Sequence, residues 1–341
     1  MEGSSSYSNL LKKLRLIKIC NINEDTGGGR PLLPEVFHYT NKNIQLMKLR
    51  NILLYLVLMG GLSTSCIKED HSDCHNVYRL AMSYFGDGTD DIFQGKISSV
   101  DLYVFDQQNN CVDSFRASES DIQEQLVTLP PLEPGDYKVV CIGNAHNTKV
   151  ENLDSKDLTQ MRFAAEAYVN GEITSGNDSL YWSSTDYSIT PYDAKKMEEV
   201  ITSEFASSHY DVSVELAGLF AGTKASEVPT VEIVGLSPYT DFTNKAFGEP
   251  ATYTLETDAE GMTSITSFSN IMRHTDDAVL RVSSAGLVLA EKSFADHIAE
   301  LGIEIDKQEV LIPFKIAFDA STMQVKITAP SWYVVDVKPE F

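Results

Sequence analysis

The sequence predicts an all-β protein built of β-sandwiches, one on each side of residue ~195, with one or two short helices. Three observations carry this. From Val77 onward, short runs of alternating apolar and polar residues recur, turn-forming clusters separate them, and few segments show helical spacing. With 43% hydrophobic and 9% aromatic residues, the 341-residue chain has enough apolar surface for packed cores.

Ile97–Phe105 alternates, placing Val100, Leu102 and Val104 on one face and Tyr103 and Phe105 on the other. The turn-like run Asp106-Gln107-Gln108-Asn109-Asn110 precedes Cys111–Phe115, which predicts a hairpin. Leu129–Asp136 is a proline-rich turn leading into the strand Tyr137–Ile142, where Cys141 shares a face with Tyr137 and Val139 and is expected to be a buried thiol. Residues 153–195 are polar and read as loop, with a short helix within Asp154–Ala167. A second β pattern follows in Tyr210–Leu216, Val231–Leu236, Thr252–Leu255, Thr263–Ile271 and Val279–Val282. Lys292–Leu301 is the clearest helix: Phe294, Ile298 and Leu301 share a face and Gly302 can cap the end. Strands are expected again in Val310–Phe318, Met323–Thr328 and Trp332–Val337. The expected domains are 77–195 and 196–341.

Charge divides the chain differently. The 49 acidic and 27 basic residues give a net charge of -22, which disfavours nucleic acid as a partner. Residues 1–65 nevertheless hold eight of the basic residues and four of the acidic ones. Within them, Met47-Lys48-Leu49-Arg50-Asn51 opens a basic stretch, Ile52–Met59 is apolar, and Gly60–Ser65 are small residues apart from Leu62, ahead of Cys66. This order is that of an export signal. Its apolar core is far shorter than the ~20 residues of a membrane-spanning helix. The run resembles a lipoprotein signal, with Ser63 where leucine is usual and Leu62 one place earlier. That resemblance implies acylation of Cys66 and cleavage before it, leaving 66–76 as a lipidated tether. Residues 1–46 are expected to be an extension upstream of a start at Met47. Lys68-Glu69-Asp70 resembles the signal that sends lipoproteins of some Gram-negative anaerobes to the outer face of the outer membrane.

Several segments, in order, resemble the FimB-type fimbrial anchor family, the lipoproteins at the base of type V pili. They are Cys66 with Cys74, Val100–Asp106, Leu132–Tyr137, Gly143-Asn144, Tyr239-Thr240-Asp241-Phe242, and Trp332-Tyr333-Val334-Val335. The resemblance spans about residues 66–341. It implies two tandem transthyretin-like β-sandwich domains and a role in fixing a pilus to the outer membrane, with fimbrial stalk or accessory subunits as partners. It also makes Trp332–Val337 a candidate donor strand for a neighbouring subunit. There, Tyr333, Val335 and Val337 form one apolar face, and Trp332 and Val334 extend apolarity to the other.

Enzymatic chemistry is not expected, nor is a cofactor or a metal. There is no G-x-S-x-G elbow, G-x-G-x-x-G or P-loop. His71, Cys74 and His75 are expected to lie in the solvated tether, and Asp87, Asp90 and Asp91 around Gly88 in a solvated turn rather than a calcium loop. Asp178-Ser179-Leu180 matches a short O-glycosylation pattern but is expected to be polar loop. One disulfide among Cys74, Cys111 and Cys141 fits the count, with the pairing open. The alternative function is a surface carbohydrate-binding lipoprotein for nutrient uptake. Its candidate sugar platform is Tyr181, Trp182 and Tyr187, on an expected loop over 175–192.

Overall fold

A strand that is apolar on both faces must be covered on both faces, and β2 (Val100–Asp106) is such a strand. In the computed structural model, which describes residues 75–193, 198–219, 228–257, 264–319, 321–322 and 324–333, Val100, Leu102 and Val104 enter one core while Tyr103 and Phe105 face another. β2 forms the expected hairpin with β3 (Cys111–Arg116), with a bulge after Val104. Its other edge pairs with β5 (Gly135–Gly143), which pairs with β8 (Tyr181–Ile189), and β8 with the short β10 (Ala206–Ser207).

One face of this five-stranded sheet is covered by β1 (Val77–Ser83), flanked by β4 (Leu126–Thr128) and β9 (Glu198–Glu204). Tyr78, Leu80 and Met82 of β1 pack with Leu102, Val104, Val139 and Cys141 to form the first core. The other face is covered by a sheet of mixed origin: β6 (Thr148–Glu151) and β7 (Arg162–Ala165) pair onward to β13 (Tyr239–Asp241) and β14 (Ala246–Phe247).

The second sandwich stacks two four-stranded sheets. One runs β16 (Ser264–Met272), β11 (His209–Ala217), β19 (Leu311–Asp319), β20 (Gln324–Thr328). The other runs β15 (Ala251–Leu255), β12 (Thr230–Leu236), β17 (Val279–Ser284), β18 (Leu287–Ser293). Val212, Val214, Ile233, Leu280, Ile312 and Phe314 meet between them. Gly235 marks a bulge in β12: its φ is +84°, and a Cβ there would lie 2.3 Å from the Asp277 carbonyl oxygen.

Four short helices interrupt the strands among the described residues: α1 (Phe93–Lys96), α2 (Glu119–Glu124), α3 (Glu166–Val169) and α4 (Phe294–Leu301). α4 has the expected amphipathic face, with Phe294 and Ile298 buried. The Ser293 side chain caps its start, and Gly302, at φ +63°, caps its end.

Three expectations are corrected. Residues 153–195 are not loop throughout: between stretches of turn and loop they contain β7, α3 and the nine-residue β8, an inner strand of its sheet. Within Asp154–Ala167 only the last two residues are helical: the four-residue α3 starts at Glu166 and runs past the expected span to Val169. The strand expected from Trp332 does not begin there, because Ser331 and Trp332 form a turn and the Tyr333 N–H donates to the Pro330 carbonyl (3.1 Å). Val334, Val335 and Val337 lie outside the described residues.

Candidate functional site

The elements that tie the two sandwiches together are built from residues far apart in sequence. Phe242, 1% exposed, is the hub. It follows β13 and meets Tyr103 and Phe105 of β2 and Phe163 of β7 edge-on, at centroid separations of 5.3, 5.8 and 6.2 Å. Its backbone carbonyl accepts the indole N–H of Trp182 on β8 at 3.0 Å. Asp241 shapes the turn that presents it, accepting from the backbone N–H groups of Thr243 and Lys245 at 2.8 and 3.0 Å. The Arg162 guanidinium lies 3.9 Å from the centre of the Tyr239 ring.

A second tie joins residues 84–96 to the turn before β19. The Asp87 carboxylate accepts from the backbone N–H groups of Gln308 (2.9 Å) and Glu309 (3.0 Å). The Glu309 carboxylate accepts from the Tyr84 hydroxyl and from the Lys96 ammonium. Burial first, then the neighbouring Glu309 carboxylate, pushes the Tyr84 phenol well above its ordinary pKa. Arg273 fastens the same turn from the far side by donating to the carbonyls of Ile305, Lys307 and Gln308 at 2.9, 2.7 and 3.3 Å. At the exposed Asp91 a slight desolvation is outweighed by hydrogen bonds from the N–H groups of Tyr84 and Phe93 and from the Gln125 side chain, which hold its carboxyl below the usual range. Asp87 and Asp91 are therefore backbone clasps within a turn whose residues 87–91 are all exposed, as the solvated-turn reading expects.

Gly143-Asn144 closes β5 for a steric reason. A Cβ on Gly143 would lie 3.1 Å from Ile97 and 3.2 Å from Tyr181. Asn144 adopts φ +60° and uses its whole amide: the oxygen accepts from the Ser98 N–H and hydroxyl, and the nitrogen donates to the carbonyls of Lys96 and Ser179. Asp178 clasps the adjacent turn, accepting from the N–H groups of His146 and Asn147 and the Thr148 hydroxyl. Asp178-Ser179-Leu180 is thus an ordered joint, with Leu180 fully buried.

Of the residues singled out in the sequence, Cys66, Lys68, Glu69 and Asp70 lie outside the described residues, as do His71 and Cys74. Trp332 is 54% exposed and Tyr333 half-buried. Cys111 and Cys141 are both free thiols. They line opposite faces of the same sheet, which rules out a bridge between them. Cys141 is fully buried, and burial pushes its thiol up to about 12. The candidate sugar platform is not a surface: Tyr181 and Tyr187 are buried in the first core, and Trp182 packs against the core around Phe242. Among the described residues, no group of three or more His, Cys, Asp or Glu is placed to hold a metal ion.

The profile of the Mfa2 family, fimbrillin-A associated anchor proteins Mfa1 and Mfa2, matches residues 71–338. Among solved structures, a candidate adhesin of Bacteroides ovatus shares the fold with a TM-score of 0.59, at 14% identity over 81% of this chain and 100% of that one. The fimbrial anchor protein Mfa2 of Porphyromonas gingivalis gives 0.53, at 12% identity over 72% of this chain and 90% of its own. A candidate polysaccharide-binding protein of Bacteroides thetaiotaomicron gives 0.54, at 13% identity over 71% and 91%. At such identities the likeness is one of fold. Comparison with curated proteins gives no match.

Proposed function

The chain belongs to the family of fimbrillin-A associated anchor proteins, and from that premise we propose that lipid on Cys66 ties it to the outer membrane while its sandwiches hold a fimbrium. Fimbrial accessory or anchor function follows from the family, which is not an enzymatic one. Such a protein works at the cell surface. No helix among the described residues is long and apolar enough to cross a membrane.

The observation that carries the lipid anchor is the order of residues 47–66: basic start, short apolar core, small residues, cysteine. Two or more acyl chains on one residue give stable attachment where one is marginal. Lys68-Glu69-Asp70 directs the lipoprotein outward. β9 and β10 pair with strands of the first sandwich, which supports a domain boundary after Ser207 rather than at 195, with β13 and β14 reaching back from the second domain to β7. Trp332–Val337 donates to the neighbouring subunit. The test is metabolic labelling with palmitate. Wild type is expected to take up label and lose its signal peptide, and Cys66→Ala to do neither. A labelled Cys66→Ala protein refutes the anchor.

A further inference from the structure

Edge strands normally carry protection against pairing with other chains: shortness, charge, proline or a bulge. Most edges here do. β4 and β10 are three and two residues long. β3 carries Asp113 and Arg116, β9 carries Glu198, Glu199 and Glu204, β18 carries Glu291 and Lys292, and β20 carries Lys326. β16 is different. It is an edge strand of nine residues, Ser-Ile-Thr-Ser-Phe-Ser-Asn-Ile-Met, with no charge, proline or glycine, and it pairs with β11 without a bulge.

The chain covers a stretch of that edge with its own backbone. The Asn177 N–H donates to the Asn270 carbonyl (2.8 Å), the Ser269 hydroxyl to the Ser175 carbonyl (2.6 Å), and the Thr254 N–H of β15 to the Thr174 carbonyl (3.0 Å). Thr174–Asn177 thus lies as a plug between the edges of β15 and β16. The Asn270 carbonyl points away from β11, so the two-residue period points the backbone groups of Phe268 and Thr266 the same way. Among the described residues, no backbone group pairs with them on that side. Beyond the plug a groove of about 540 Å³ opens, lined by Ser175, Glu256 and 264–268. Phe268 stands 76% exposed beside it, and Ile173, next to the plug, is 82% exposed.

We propose that the open edge of β16 at Ser264–Phe268 binds an extended segment of a partner polypeptide by strand addition, with an apolar side chain against Phe268 and a basic one beside Glu256. The plug shows that backbone fits this channel and bonds its walls. Exposed N–H and C=O groups select a strand, since a strand satisfies them in register. The plug limits the bound segment to about five residues opposite 264–268. Charge selects the source: with a net charge of -22 and Glu256 at the groove, a second copy of this chain is repelled and a basic segment attracted. The site goes beyond the anchor reading and does not require lipid on Cys66.

The test uses the full mature chain and a fluorescein-labelled peptide, Arg-Val-Thr-Val-Thr-Val. Saturable binding is expected, with slowed amide exchange at Thr266 and Phe268. Thr266→Pro removes an outward N–H that the fold does not use, and is expected to weaken binding about tenfold while the melting curve stays unchanged. Phe268→Glu is expected to weaken it similarly, and Glu256→Lys to abolish the preference for the arginine peptide over its glutamate counterpart. Binding unaffected by Thr266→Pro overturns the proposal, as does unchanged exchange at both amides. So does dimerisation in ultracentrifugation that Phe268→Glu abolishes, which would assign the edge to a second copy. Protection of these amides in the free protein that disappears on deleting residues 332–341 would assign it to the chain's own end and equally refute a partner segment.

Discussion

Replacing Phe242 by alanine tests whether the two sandwiches are held as one body by the small core between them. The side chain is fully buried, and three aromatic rings pack on it at 5.3–6.2 Å. Truncating a buried phenylalanine costs about 3–5 kcal/mol through lost transfer energy and the cavity left behind. Edge-on ring pairs put this site toward the upper half of that range. Both sandwich cores lack Phe242, so the loss falls on the junction alone. The Trp182 bond is to the backbone carbonyl and survives the substitution. Wild type is expected to unfold in urea as one transition. Phe242→Ala is expected to show two, with the 242–250 turn becoming susceptible to protease first. Phe268→Ala, at an exposed site, is the control and should shift stability by under ~0.5 kcal/mol. A single transition in Phe242→Ala with a loss below ~1 kcal/mol would refute the junction.

Asn144→Gly keeps the left-handed turn and loses four side-chain hydrogen bonds, so about 1–3 kcal/mol is expected in denaturant titration, with Asn144→Ala worse by about 1 kcal/mol. His297 stacks on Phe314 and donates from Nε2 to the Pro313 carbonyl (2.9 Å), and burial lowers its pKa. A lowered pKa means the unfolded chain binds the proton more readily; the associated stability is complete above the unfolded value and is lost as pH falls toward and through the folded one. Urea midpoints between pH 7.5 and 5 should therefore fall more steeply in wild type than in His297→Phe, and equal slopes would refute the assignment. Changing Lys68, Glu69 and Asp70 to alanine should preserve palmitate labelling and reduce digestion by external protease in intact cells; undiminished digestion counts against an export signal. Deleting residues 332–341 should leave a folded lipoprotein that no longer retains fimbriae, whereas loss of the second sandwich's unfolding transition would make that segment belong to its core.

What is legible in the sequence is what alternation and capping encode locally. β2 announces two cores because Val100, Leu102 and Val104 oppose Tyr103 and Phe105, and α4 announces itself by Phe294, Ile298 and Gly302. β8 escapes notice because its inward positions include Ser183 and Thr185. Both are tolerated because Ser203 of β9 bonds to each at 2.9 Å, and no local pattern reveals a partner some twenty residues away. The acidic turn is exposed, as its composition suggests, but the clasp of Asp87 on Gln308 and Glu309 spans more than two hundred residues and leaves no local trace. Tyr239–Phe242 stands out only through resemblance, without a hint that Phe242 is a hub. β16 is readable as a strand, but its place at an edge depends on what pairs with β11 on the other side.

β1 pairs in parallel with β9 over seven positions, from Val77 opposite Glu198 to Ser83 opposite Glu204, and antiparallel with β4 over three. If the N-terminus is tethered as proposed, tension enters β1 at Val77. It leaves for the second sandwich through β9, whose exit is at the opposite end. A pull therefore slides the two strands along their length, and the ladder between them is strained all at once. Two antiparallel strands pulled from a shared end would instead unzip rung by rung, each rung worth only about 0.5–1.5 kcal/mol. With the proposed tether in place, β1 would act as a shear clamp, a geometry suited to a component that holds a fibre against drag.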